Sequence, residues 1–217
     1  MQLYLDPDTG IWRDDDYFFD PQGGGWRPRE EATRGEPVSA EAAARWLQKR
    51  SQTPCRVPVG VIGARSASPE RLAAAEALGR RLAEIGFTVL CGGRQGVMTA
   101  VCKGVAAKGG ISVGILPDAE PDTANPHVTI PIASGLGLAR NAVIAHGSLC
   151  LVAVGGSYGT AAEVAFGLQL GKPVFGLMSP LWLPGLIPCA SVEEAVSGVV
   201  RTVLDLPLGE GAETGET

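Results

Sequence analysis

From Val57 onward the chain repeats one unit: a short apolar run, a glycine-rich turn, then a helix-patterned segment. VPVGVIGA (57–64), FTVLC (87–91), ISVGIL (111–116), LCLVAV (149–154) and PVFGLM (173–178) are the apolar runs. They are nearly continuous rather than alternating, as strands buried on both faces require. The intervening segments carry helix signals. Ser68-Pro69 reads as a cap with Pro at the first helical position, running to about Ile85 with Gly86 as the stop. A helix is expected through VMTAVCKGVAAK to Gly109, another from about Leu138, another over Thr160–Leu170, and Ser191-x-x-Glu194 is a capping box opening the last, to about Leu204. Strand and helix in this alternation give right-handed βαβ units, so the expected fold is α/β: a Rossmann-like parallel sheet with helices on both faces over residues 57–204.

Residues 1–56 differ. They hold Tyr4, Trp12, Tyr17, Phe18, Phe19, Trp26 and Trp46, seven of the twelve aromatics. LYLDPDTGIW reads as a hairpin around a Pro-Asp-Thr-Gly turn, and Ser39 as the cap of a helix from about Ala40 to Arg50. An isolated hairpin is marginal, so this small aromatic-rich module or arm is expected to pack on the body or on a partner subunit. The polar tail, 205–217, is expected to be disordered.

Hydrophobic residues at 45% against 19% charged exclude a wholly disordered chain. A net charge of −5 argues against non-specific nucleic-acid binding. No apolar run is long enough to span a membrane, and the acidic start MQLYLDPDTG is unlike a signal peptide, so no membrane association and a cytoplasmic location are expected. Five cysteines with no CxxC suit a reduced compartment, and neither His127 nor His146 has metal-ligand spacing, so no metal and no cofactor are expected.

In such a sheet, ligands bind beyond the carboxyl ends of the strands, where glycine turns let backbone N–H groups approach an anion. Three turns qualify: Gly63-Ala-Arg65-Ser66, Gly92-Gly93-Arg94-Gln95-Gly96, and Gly155-Gly156-Ser157-Tyr158-Gly159-Thr160. None is GxGxxG or a P-loop, and there is no GxSxG elbow, which weakens dinucleotide dehydrogenase, triphosphatase and serine hydrolase readings. Two double-glycine turns running straight into helices favour anion binding. Glu163 has two readings: with Thr160 it fits a capping box, or its carboxylate faces the ligand whose phosphate sits at the helix start. Spacing alone favours the cap. Arg140 is likewise either a solvated helix arginine or a site residue.

Gly92-Gly93-x-x-Gly96-Val97-Met98, Arg140-Asn141 and Gly155-Gly156-Ser157-Tyr158-Gly159-Thr160-x-x-Glu163 together resemble the LOG family, formerly described as lysine decarboxylases and including cytokinin-activating phosphoribohydrolases. The nearer resemblance is to a subgroup that includes the molybdenum-cofactor carriers. It covers about residues 57–203. The resemblance implies a small phosphorylated ligand, a nucleoside monophosphate or a pterin cofactor, and assembly into a homodimer or higher even oligomer. By it, Gly63, Ser66, Gly92, Gly93, Asn141, Gly155, Gly156, Gly159 and Thr160 bind the phosphate or nucleotide, and Arg140 and Glu163 are the catalytic pair. The implied reaction is hydrolysis of the N-glycosidic bond of a nucleoside 5′-monophosphate; the alternative is a non-catalytic carrier or sensor. Two departures bear on the choice: Val154 stands where the hydrolases have Pro, and Asn141 where they have Lys.

Overall fold

A computed structural model describes residues 1–14, 17–23, 25–28, 35–181 and 183–208. Most of the expected tail, residues 209–217, lies outside the described residues. Two sheets are present. Strands β1 (Leu3–Asp6), β2 (Gly10–Arg13), β3 (Tyr17–Asp20), β4 (Gly25–Pro28) and β5 (Glu36–Val38) form an antiparallel sheet in the order β4-β3-β2-β1-β5. The hairpin expected around Pro7-Asp8-Thr9 joins β1 to β2, with Leu5 opposite Ile11.

The second sheet holds β6 (Val59–Gly63), β7 (Val89–Cys91), β8 (Ser112–Leu116), β9 (Ile130–Ala133), β10 (Leu151–Val154), β11 (Val174–Leu177) and β12 (Leu186–Cys189). All its neighbours pair in parallel, in the order β12-β11-β10-β6-β7-β8-β9. The chain therefore starts at the centre, winds outward to β9, and returns to wind outward the other way from β10. The sequence reading missed β3, β4 and β5 of the first sheet and, in the second, β9 and β12. The last two are edge strands carrying a proline, Pro131 and Pro188, which is tolerated only where a ladder hydrogen bond can be given up.

The helices are α1 (Ala40–Lys49), α2 (Pro69–Ile85), α3 (Val97–Ala106), α4 (Arg140–Gly147), α5 (Tyr158–Gln169) and α6 (Val192–Val203). Strand residues alternate between two cores, as the pleat demands. Val59, Val61, Val152, Val154, Phe175 and Leu177 point to the side of α2, α3 and α6, whereas Ile62, Leu151, Ala153 and Val174 point to α4 and α5. The Rossmann-like arrangement with helices on both faces is thus present.

The N-terminal sheet docks on its own chain. Leu3, Ile11 and Phe19 join the core that includes Ala43, Ala44 and Leu47 of α1 and the valines of α6. The Trp26 indole N–H donates to the Leu204 carbonyl at 2.8 Å. Leu206 is buried too, so the packed chain extends into the first residues of the segment expected to be disordered.

Candidate functional site

Strands β6 and β10 are neighbours although the chain leaves one and reaches the other only after three more strands, which makes the gap beyond their carboxyl ends the topological switch point. A cleft of about 460 Å³ lies there. Eight of the eleven residues expected to form the site line it: Gly63 and Ser66 after β6, Gly92 after β7, Arg140 and Asn141 at the start of α4, and Gly159, Thr160 and Glu163 on α5. Gly93, Gly155 and Gly156 do not. The Gly93 carbonyl accepts from the Asn125 backbone and side chain, the Gly155 N–H donates to Leu177, and Leu181 lies beside Gly156. These three shape the turns that carry the lining residues.

Arg65, Met98, Leu138 and Ser157 also line the cleft and were not among the expected site residues. Arg65 and Ser157 sit inside glycine turns that were recognised, so their position was the available signal.

Helix α5 begins earlier than expected, so Glu163 does not take part in its cap. The N-cap is Ser157, whose Oγ accepts from the Thr160 N–H at 3.3 Å and lies 3.0 Å from the Thr160 hydroxyl. Thr160 is then the third helical residue and Glu163 lies in the second turn, so the capping box over Thr160–Glu163 does not form. Ser157 competes better as a cap because it follows directly on the glycine turn with extended backbone. The first-turn amides of Tyr158 and Gly159 have no intrahelical acceptor by construction. The Asn141 side-chain nitrogen lies 3.9 Å from where a Gly159 Cβ would stand, so a neutral amide borders the helix start.

Arg140 is buried and spends both Nη1 hydrogens on backbone carbonyls, those of Gly92 and of Ile115, the latter at 2.6 Å. It thereby ties α4 to the ends of β7 and β8. A Cβ at residue 92 would stand 2.9 Å from Arg140 Nη2 and from Met98 Sδ, so glycine is needed for this approach. Burial lowers the Arg140 pKa, with the Glu163 charge working against the change. Glu163 is also buried, which pushes its carboxyl up to about 7 despite the pull of Arg140. Desolvation outweighs mutual attraction at both groups. Arg94, in the β7–α3 turn, pairs with Asp118.

The model of the SLOG cluster4 family matches residues 56–198. A protein of Archaeoglobus fulgidus described as uncharacterized is 42% identical over 139 residues, which is 64% of this chain and 91% of that protein. The molybdenum cofactor binding protein of Rippkaea orientalis superposes with a TM-score of 0.64 at 31% identity, over 69% of this chain and 98% of that one. The Moco carrier protein of Chlamydomonas reinhardtii superposes at 0.62 with 36% identity, over 70% of this chain and 100% of that one.

Proposed function

The chain belongs to the SLOG cluster4 family, and from that membership and the cleft we propose that it binds and carries a small phosphorylated ligand, of the class that includes a phosphorylated pterin cofactor such as molybdenum cofactor. The observation that carries this reading is the meeting, at the switch point, of the α5 start with Gly92 and Arg140. A phosphate at the start of α5 would meet the free amides of Tyr158 and Gly159 and the Thr160 hydroxyl, and the helix dipole would add about 0.3–1 kcal/mol at an exposed site. Ile62, Met98 and Leu138 supply an apolar wall for the rest of the ligand. Likeness to two proteins named for binding or carrying that cofactor, at 31% and 36% identity, supports carriage over chemistry. So do Val154 and Asn141, which replace the Pro and Lys of the hydrolases.

Mass spectrometry of the small molecule that co-purifies with the full chain tests this. A phosphorylated pterin or nucleotide is expected. A chain that binds no phosphorylated compound, with or without added ligand, would sink the proposal.

A second reading rests on Glu163. A carboxyl held at about 7 suits proton transfer at neutral pH. In hydrolysis of a nucleoside 5′-monophosphate the C1′–N bond breaks, water oxygen bonds C1′, and the base leaves with a proton. Glu163 would activate the water or steady the cationic sugar, with Arg140 holding the turn that places it. Release of free base from a panel of nucleoside monophosphates distinguishes the two. In either case we propose a homodimer or higher even oligomer working in the cytoplasm.

A further inference from the structure

Taking the α5 start as the phosphate site, we infer that Arg65 reads a second anionic group on the same ligand, so that the preferred ligand class carries two such groups, as a diphosphate-linked nucleotide does. Arg65 comes from the turn after β6, whereas Gly159 and Thr160 come from the turn and helix after β10; both sets line one cleft at the ends of neighbouring strands.

The root of Arg65 is fixed by construction. The Val97 N–H donates to the Ala64 carbonyl at 3.1 Å, which seats the start of α3 on the β6–α2 turn. Gly96 makes that approach possible: its φ is +72°, and a Cβ there would stand 2.3 Å from the Arg65 carbonyl oxygen. The arginine thus projects from a clamped backbone while its side chain stays exposed.

Its charge is uncompensated. Among the described residues Arg65 has no ion pair and no side-chain hydrogen bond, and its charge acts on Arg140 as a like charge. Arg94 is neutralised by Asp118, and the carboxyl that lines the cleft, Glu163, is buried and has Arg140, not Arg65, as its charge partner. The phosphate at α5 already has amides and the Thr160 hydroxyl available. Arg65 remains as an unused planar fork matched to a second phosphate or carboxylate.

Titration calorimetry of the full chain with inorganic phosphate and with pyrophosphate tests this. Pyrophosphate should bind the native protein about tenfold more tightly, the scale of one charge-assisted contact. Arg65→Ala should abolish that preference while leaving phosphate affinity within about twofold, and Arg65→Lys, which keeps the charge without the fork, should fall between. The melting temperature of the free variants should match the native protein, since the side chain is exposed. A preference that survives Arg65→Ala would overturn the inference, as would equal weakening of both anions, which would place Arg65 on the first phosphate. If neither anion binds the native protein, the phosphate reading of the α5 start fails, and this inference with it.

Discussion

Glu163 and Arg140 show burial winning over pairing, and the consequence for Glu163 has a definite sign. Its folded pKa, about 7, lies above the ordinary value of 4.5, so the native state holds its proton more tightly than the unfolded chain does. The associated stability is complete below about pH 4.5 and is lost as pH rises through 7, by on the order of 2–3 kcal/mol. Glu163→Gln removes this dependence. The variant should gain melting temperature relative to the native protein between pH 5 and pH 8, and a difference that stays flat across that range would contradict the assignment. If the protein is a hydrolase, the same substitution should lower turnover about 10²–10³-fold with the fold intact, measured as release of free base. Protonation also removes a negative charge beside the anion site, so affinity for sulfate, whose own charge is constant over this range, should rise as pH falls through 7. Such effects were invisible in the sequence. The Thr160–Glu163 spacing was legible, but whether the carboxylate caps or faces a cleft depends on which residue begins α5. Arg140 was legible only through its resemblance to a motif; its hydrogen bonds to Gly92 and Ile115 join residues 48 and 25 positions apart.

Helix α5 owes its starting point to Ser157, and the anion site inherits that dependence. The serine hydroxyl accepts from the Thr160 N–H and contacts the Thr160 hydroxyl, and Ser157, Gly159 and Thr160 all line the cleft. Ser157→Ala should cost about 0.5–2 kcal/mol of stability. It should also weaken phosphate binding, because Thr160 loses its hydroxyl partner. Thermal melts with and without phosphate check both; unchanged phosphate affinity would mean the cap serves the fold alone. The inner strands of the parallel sheet, the β1–β2 hairpin and the helices among the described residues could be read from apolar runs, Gly stops and caps, since these signals are local. The edge strands could not. Ile130–Ala133 lies in a Pro/Asp-rich stretch and pairs only with β8, so its existence is decided by a register with Val113–Leu116 that no local pattern encodes. Gly93, Gly155 and Gly156 mark the limit of motif reading in the other direction: they were recognised correctly as turn glycines, yet face neighbouring elements, not the cleft.

The two outer surfaces of the molecule differ in what they expose. On one, the N-terminal sheet covers α1 and α6: Trp12 is fully buried and Trp26 is tied to Leu204. Helix α3, apolar enough to suggest a subunit contact, likewise buries Val97, Val101 and Val105 within the chain. The opposite surface is different. Val143 of α4 and Tyr158, Phe166 and Leu170 of the α5 segment are exposed, Tyr158 at 98%. Exposed apolar side chains on two neighbouring helices suit isologous pairing, and we propose that assembly uses this surface. The N-terminal sheet and the pairing surface should therefore be separable. Light scattering at micromolar concentration should give a dimer or larger even assembly for the full chain, and Phe166→Glu should reduce it to a monomer with the fold retained, since that side chain is 38% exposed. Deleting residues 1–38 should act oppositely, uncovering the apolar sides of α1 and α6 and lowering the melting temperature without abolishing assembly. A native chain that is monomeric at that concentration would remove α4 and α5 from any role in pairing, and a deletion that leaves melting unchanged would mean that burying Leu3, Ile11 and Phe19 contributes nothing to the stability of the body.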